Sequence, residues 1–140
     1  MTRLVLDASV VAAWFLPSQR TSAAEALRMN LAQFELEAPA LFEAETRNLF
    51  LTAERRGRWD PAITAQALAT LRGYAIAIKA GPNWEWHDEV LTLARNEGLT
   101  VYDAYYLHQA IDSDAELATR DRELIAAAGR RSVSVRDVRL

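Results

Sequence analysis

The sequence has no cysteine, which excludes a disulfide scaffold, a thiolate metal site and a cysteine nucleophile. It also lacks any apolar run near the ~18 residues that a membrane-spanning helix needs. Asp7 interrupts the first apolar run too early for the hydrophobic region of a secretory signal. No linker-like tract and no internal repeat divides the 140 residues. We therefore expect a cytoplasmic protein without a membrane segment, folded as a single domain over residues 1–140.

The sequence also has no excess of positive charge and only two histidines. The net charge of −3 argues against a protein that coats nucleic acid through a general basic surface. It does not exclude a nuclease, because a metal-dependent nuclease carries clustered carboxylates that lower its net charge. The two histidines, His87 and His108, are isolated and lack the spacing of paired metal ligands. We therefore do not expect histidine to supply a metal site.

The order of apolar and helical patterns predicts an α/β fold. Short apolar runs alternate with helical patterns, which is typical of three layers in which helices flank a mainly parallel sheet. We predict four strands, at residues 3–6, 74–79, 116–119 and 133–135. We predict seven helices, at residues 8–16, 22–34, 40–56, 61–72, 84–96, 104–111 and 122–128. Ligands in such folds bind at the carboxyl ends of the strands.

Three aspartates stand where extended chain gives way to a predicted helix. Asp7 and Asp121 closely follow predicted strands, and Asp103 follows the apolar segment 99–101. Each of them alone also fits a helix N-cap. Together they carry more weight, because a doubly wound sheet gathers such positions on one edge. Clustered carboxylates repel each other, and a hard divalent cation is the usual remedy, so the pattern predicts a carboxylate metal site.

Two neighbouring glutamates compete for a place at this site, and the helical period separates them. Glu45 shares a helix face with apolar side chains such as Leu41 and Leu49, whereas Glu43 points elsewhere and can form a surface ion pair with Arg47. A carboxylate on an apolar face is costly unless it has a partner or a metal. Glu45 is therefore the predicted site residue, and a buried pair with an arginine is the alternative for it.

Four segments, in order along the chain, carry a family resemblance. They are Leu4-Val5-Leu6-Asp7-Ala8-Ser9, Pro39-Ala40-Leu41-Phe42-Glu43-Ala44-Glu45-Thr46-Arg47-Asn48, Leu99-Thr100-Val101-Tyr102-Asp103-Ala104 and Ala118-Thr119-Arg120-Asp121. In this order the sequence resembles the PIN-domain nucleases, specifically the VapC-type toxins of bacterial toxin–antitoxin pairs. The spacing from Pro39 to Glu45 and on to Asn48 also selects Glu45 over Glu43. No acidic position departs from the family pattern.

The resemblance implies a PIN-like fold and an endoribonuclease that depends on Mg²⁺ or Mn²⁺ and cleaves structured cellular RNA such as tRNA or rRNA. The implied metal-binding and catalytic residues are Asp7, Glu45, Asp103 and Asp121. For the glutamate, two roles stay open, a metal ligand or a base that positions the attacking water. The residues implied to support the acids are Ser9, Asn48 and Thr119. The implied partners are a VapB-type antitoxin that covers the active site and a second copy of the chain.

Three alternatives compete with this interpretation. The main one is a catalytically silent PIN-like module that binds protein, and the intact set of four acids argues against it. A phosphatase of the haloacid dehalogenase type needs a second aspartate two residues after Asp7, where Ser9 stands. A receiver domain needs a lysine after its fifth strand, whereas Lys79 is the only lysine of the chain.

Overall fold

A sheet of five parallel strands lies at the centre of the computed structural model, which describes residues 1–140. The strands are β1 (Thr2–Leu6), β2 (Phe34–Pro39), β3 (Ala77–Lys79), β4 (Glu116–Thr119) and β5 (Val135–Asp137). The helices are α1 (Ala8–Phe15), α2 (Ser22–Met29), α3 (Leu41–Arg55), α4 (Pro61–Gly73), α5 (Trp84–Glu97), α6 (Val101–Asp112) and α7 (Arg122–Arg130). The predicted α/β class, with helices around a parallel sheet, is confirmed.

Strand β1 is the central strand because its side chains suit burial on both faces. Leu4, Val5 and Leu6 have no exposed surface, as expected for a strand covered by helices on both sides. The strand order is β3-β2-β1-β4-β5, so the chain runs outward from β1 to β3 and later crosses to β4 and β5. Such a reversal of direction opens a crevice at the carboxyl ends of the two strands beside it, here β1 and β4.

Strand β2 is absent from the prediction, which was wrong here. A helix was predicted over residues 22–34, whereas α2 ends at Met29 and a strand occupies Phe34–Pro39. Glutamates at positions 35 and 37 concealed this strand, because charged residues are unusual beside the centre of a parallel sheet. Glu37 is only 3% exposed. Its carboxylate accepts a hydrogen bond from Gln109 Nε2 at 3.0 Å and pairs with Lys79 Nζ at 3.2 Å, which compensates its burial.

The other predicted elements lie within a few residues of the observed ones. Gly98 follows α5 with φ of +67°, the left-handed conformation in which glycine commonly ends a helix. Strand β3 covers only the second half of the predicted strand 74–79, and β5 begins at Val135 instead of residue 133. None of the helices is both long enough and apolar enough to cross a membrane.

The buried carboxylate of Glu37 generates a stability prediction. Lys79→Met leaves this carboxylate without its cation and is expected to lower the free energy of unfolding by about 1–3 kcal/mol, less than the loss of a fully buried pair because Lys79 is half exposed. The urea midpoint at unchanged slope measures the effect. In the Glu37→Gln background the same lysine substitution should cost little. Equal losses in both backgrounds would contradict the ion-pair explanation.

Candidate active site

The four predicted acids come together at the carboxyl edge of β1 and β4. Asp7 directly follows β1, and its backbone N–H donates to Ala118 of β4 at 3.0 Å. Asp121 follows β4 after one intervening residue, while Glu45 lies near the start of α3 and Asp103 in the first turn of α6. The charges of the other three acids each raise the pKa of Asp103, so all four lie within electrostatic range of one another.

Asp7 is the most deeply buried of the four acids, with 6% of its surface exposed. It occupies the N-cap position of α1 but its side chain makes no capping hydrogen bond. Instead, its Oδ2 atom accepts hydrogen bonds from Ser9 Oγ and Thr119 Oγ1, both at 2.7 Å. Burial raises the pKa of Asp7, and although the two hydroxyl groups oppose this shift, the pKa stays above its ordinary value.

Thr119 supports Asp7 rather than the acid that is nearest to it in sequence. Although Thr119 lies two residues before Asp121, its hydroxyl donates to Asp7 and accepts the backbone N–H of Asp121 at 3.0 Å. Asp121 also caps α7, since its Oδ1 atom accepts the N–H of Leu124 at 2.9 Å. Thr119 therefore links the end of β1 to the chain that leaves β4.

The structure separates Glu45 from Glu43 as the helical period predicts. Glu45 is half-buried, and its pKa is raised by burial and by the charge of Asp7. Glu43 is exposed, and its expected ion pair with Arg47 is absent, because Arg47 Nη1 donates to the backbone carbonyl of Glu43 at 3.0 Å. Asn48 is exposed, and its side chain makes no hydrogen bond to any of the four acids.

Tyr106 contacts the acid cluster, and the sequence analysis did not single it out. Its ring has no exposed surface, and its hydroxyl donates to Glu45 Oε1 at 2.5 Å. Burial, the charge of Asp7 and the bond to Glu45 all raise the pKa of Tyr106, which keeps its hydroxyl protonated as a donor. Its place three residues after Asp103, on the same helix face, was the available signal, because a buried tyrosine needs a partner for its hydroxyl.

Asp103 lies one turn deeper in its helix than the sequence analysis expected. Helix α6 begins at Val101, and Thr100 caps it by accepting the backbone N–H of Asp103 at 3.1 Å. The Asp103 carboxylate is therefore free of a capping role. Burial, followed by the charges of Asp121, Asp7 and Glu45, raises its pKa to about 6.

The chemistry of these donors fits a hard divalent cation. Carboxylate oxygens are the ligands that Mg²⁺ and Mn²⁺ prefer. Asp7, Glu45 and Asp121 each accept their side-chain or capping hydrogen bonds through one carboxylate oxygen. The second oxygen of each carboxylate is left for a cation. No three acidic or histidine side chains are already gathered into a group that could hold an ion.

Three comparisons with known proteins, by family, by sequence and by structure, point to the same family. Residues 4–130 match the family model of the PIN domain. The chain is 34% identical to Ribonuclease VapC3 of Pyrobaculum aerophilum over 122 residues, which cover 87% of this chain and 92% of the relative. It is 37% identical to Exonuclease VapC9 of the same organism over 82 residues, or 59% of each chain. The crystal structure of PAE2754 from Pyrobaculum aerophilum superposes with a TM-score of 0.74 at 28% identity, over 98% of this chain and 84% of that one.

The raised pKa values make stability depend on pH. Folding raises the pKa of Asp103 from 3.8 to about 6, so the folded chain holds more protons than the unfolded chain in this window, and stability falls as pH rises through it. Asp103→Asn should reduce this fall and stabilise the chain at pH 7 by about 1 kcal/mol, allowing for partial solvent screening. Urea unfolding in EDTA at several pH values measures it. Asp112→Asn, at an exposed position of the same helix, is the control, and an equal effect there would contradict the prediction.

The hydrogen bond between Tyr106 and Glu45 leads to a further prediction, which concerns catalytic activity. Tyr106→Phe keeps the ring but removes the donor, so the pKa of Glu45 should rise further because its burial is no longer opposed. We expect the acidic limb of the pH–activity profile to move to higher pH, with about a 10- to 100-fold loss of activity, as for residues that orient metal ligands. An unchanged pH profile with reduced stability would instead assign Tyr106 a purely structural role.

Proposed function

The chain belongs to the PIN domain family, and on that basis we propose that it is a divalent-cation-dependent endoribonuclease, the toxin of a VapC-type toxin–antitoxin pair. The observation that carries this proposal is the cluster formed by Asp7, Glu45, Asp103 and Asp121 at the crossover of the sheet. The 34% identity to a protein named Ribonuclease VapC3 supports RNA as the substrate. We propose that residues 1–140 act as one PIN domain.

In this proposal the aspartates hold the cation. Asp7, Asp103 and Asp121 present hard oxygen donors, and the mutual repulsion that raises the pKa of Asp103 is relieved when a positive ion lies among them. Mg²⁺ or Mn²⁺ suits these ligands. Such an ion would lower the pKa of a bound water molecule and stabilise the negative charge on the phosphoryl oxygens.

Glu45 has two possible roles, as a further cation ligand or as the base for the attacking water. In the second role its raised pKa is an advantage, because a general base works best when its pKa lies near the working pH. The water oxygen then bonds to phosphorus, and its proton passes to the free oxygen of Glu45. The bond from phosphorus to the leaving sugar oxygen breaks, and that oxygen takes up a proton from solvent water. Tyr106 keeps the other oxygen of Glu45 in a fixed position.

The finer parts of the proposal concern substrate and partners. We propose a structured cellular RNA as the target, a VapB-type antitoxin as the inhibitor and a homodimer as the active form, since these accompany the VapC-type resemblance. A relative named as an exonuclease makes the cleavage mode a separate question. A circular RNA answers it, because only an endonuclease can cut a molecule without ends.

Cleavage of RNA by the purified, antitoxin-free chain tests the proposed function. Cleavage should require added Mg²⁺ or Mn²⁺ and should disappear in EDTA. Glu45→Gln should lose at least about 100-fold in rate, because it alters a group that acts directly, while supporting groups alone account for 10- to 100-fold. Glu43→Gln, two residues away on the exposed face, is the matched control and should keep full activity.

Two results would overturn the proposal. An Asp7→Asn chain that cuts RNA at the native rate would remove the acid cluster from the mechanism. A native chain that cuts no RNA with either cation would favour the alternative, a silent PIN-like module that binds protein. Loss of activity in Glu43→Gln with retention in Glu45→Gln would mean that the wrong face of α3 has been assigned to the site.

A further inference from the structure

A cleft lined by aromatic side chains lies beside the acid cluster and has no part in the mechanism above. It encloses about 250 Å³ between the ends of β2 and β3 and the first turns of α5 and α6. We call it the aromatic cleft and define it by Leu41, Gly81, Trp86, His87, Tyr102 and Tyr105. Its volume is below the ~300–1,000 Å³ of pockets for drug-sized ligands, which suits a single planar ring system.

The aromatic cleft and the acids share two helices. Tyr102 directly precedes Asp103 at the start of α6, and the Cα atoms of consecutive residues are about 3.8 Å apart. Leu41 lies four residues before Glu45 in α3, which is slightly more than one helical turn, or about 6 Å along the axis. If a phosphate group is held among the acids, the sugar and base attached to it can therefore reach the cleft.

The inner rings of the cleft are held in place by contacts with each other. His87 Nδ1 and the Tyr105 hydroxyl share a hydrogen bond of 2.7 Å. The centroid of the Trp86 ring lies 6.0 Å from that of Tyr105, 5.3 Å from that of His87 and 4.6 Å from that of His108. These contacts fix the inner wall of the cleft before any ligand arrives.

Two further features keep the cleft narrow and leave one ring available. Gly81 approaches the wall so closely that a Cβ atom there would lie 2.5 Å from the Trp86 ring and 2.7 Å from the His87 ring. Tyr102, by contrast, directly precedes Asp103 and is 65% exposed. An exposed aromatic ring at the mouth of a preformed narrow cleft is the arrangement that stacks a planar ligand.

We propose that the aromatic cleft binds one unpaired nucleobase of the RNA, next to the phosphodiester at the acid cluster. This inference rests on the proposed nuclease function and adds to it a site that reads the substrate. Proteins recognise RNA mainly through unpaired bases that stack on aromatic side chains, and stacking tolerates different bases. The position of the cleft favours RNA over a protein partner, because its mouth adjoins the group that would hold the phosphate.

Binding of a short single-stranded RNA, with one base at a time removed, tests the proposal. The assay uses fluorescence anisotropy and the full-length Asp7→Asn chain, so that the RNA stays uncut. Removal of the base at one position should weaken binding about tenfold, as expected for the loss of one base–aromatic stack, and removal at other positions should matter less. Adding Tyr102→Ala should abolish most of this position-dependent loss, while Tyr102→Phe should preserve it.

Two further variants distinguish the cleft from its surroundings. Gly81→Ala pushes the inner rings apart or fills the cleft and should act like Tyr102→Ala. Trp84→Ala removes a tryptophan that is 80% exposed on the same helix as Trp86 but does not line the cleft, so it should leave both binding and the position-dependent loss unchanged.

The outcomes separate this inference from the proposed function. If the native chain cuts RNA but removal of no single base weakens binding, or if Tyr102→Ala leaves the loss intact, the base site is overturned and the nuclease stands. If the loss follows Tyr102 but no cation supports cleavage, the base site stands and the nuclease is overturned. If the short RNA does not bind at all, the base site is overturned, and the cleavage assay with the native chain decides the nuclease separately. A Tyr102→Ala chain that binds RNA normally but loses a protein partner would reassign the cleft to that partner.

Discussion

The cost of gathering negative charge at a buried edge is the constraint on which the rest of this structure depends. Asp7 directly follows the central strand β1, and the charges of Glu45, Asp121 and Asp7 all act on Asp103. Burial and mutual repulsion both disfavour their ionised forms, and the pKa values of three of them are raised accordingly. A fold built only for stability would place neutral side chains here, so the cluster is maintained against a free-energy cost.

The chain limits this cost with neutral donors instead of cations. Ser9 and Thr119 donate to Asp7, and Tyr106 donates to Glu45, all through hydroxyl groups. A hydroxyl group stabilises the ionised carboxylate but leaves its negative charge uncompensated. No arginine or lysine forms a salt bridge with any of the four acids, although arginine is common elsewhere in the chain. The four acids thereby keep their net negative charge. Glu37, which is buried away from this edge, has Lys79 as its partner.

Helix α6 connects the acid cluster to the aromatic cleft. One face carries Asp103 and Tyr106 toward the acids, and the adjacent face carries Tyr102 and Tyr105 into the cleft. Side chains three residues apart lie on the same side of a helix, so this short segment serves both regions through its periodicity alone. The capping hydrogen bond of Thr100 fixes where the helix begins, and with it the orientation of both faces.

The sequence by itself predicted the fold class, a first strand buried on both faces and the four acids, because local apolar runs, helix signals and motif spacing are all properties of neighbouring residues. It separated Glu45 from Glu43 for the same reason, since the helical period is local. Strand β2 was missed because Glu37 is compensated by Gln109 and Lys79, which are far away in sequence. Only the tertiary structure decided that Thr119 supports Asp7, that Tyr106 supports Glu45 and that Asn48 makes no hydrogen bond to either acid. Those contacts join separate elements across the crevice, and no local pattern encodes the distance between them.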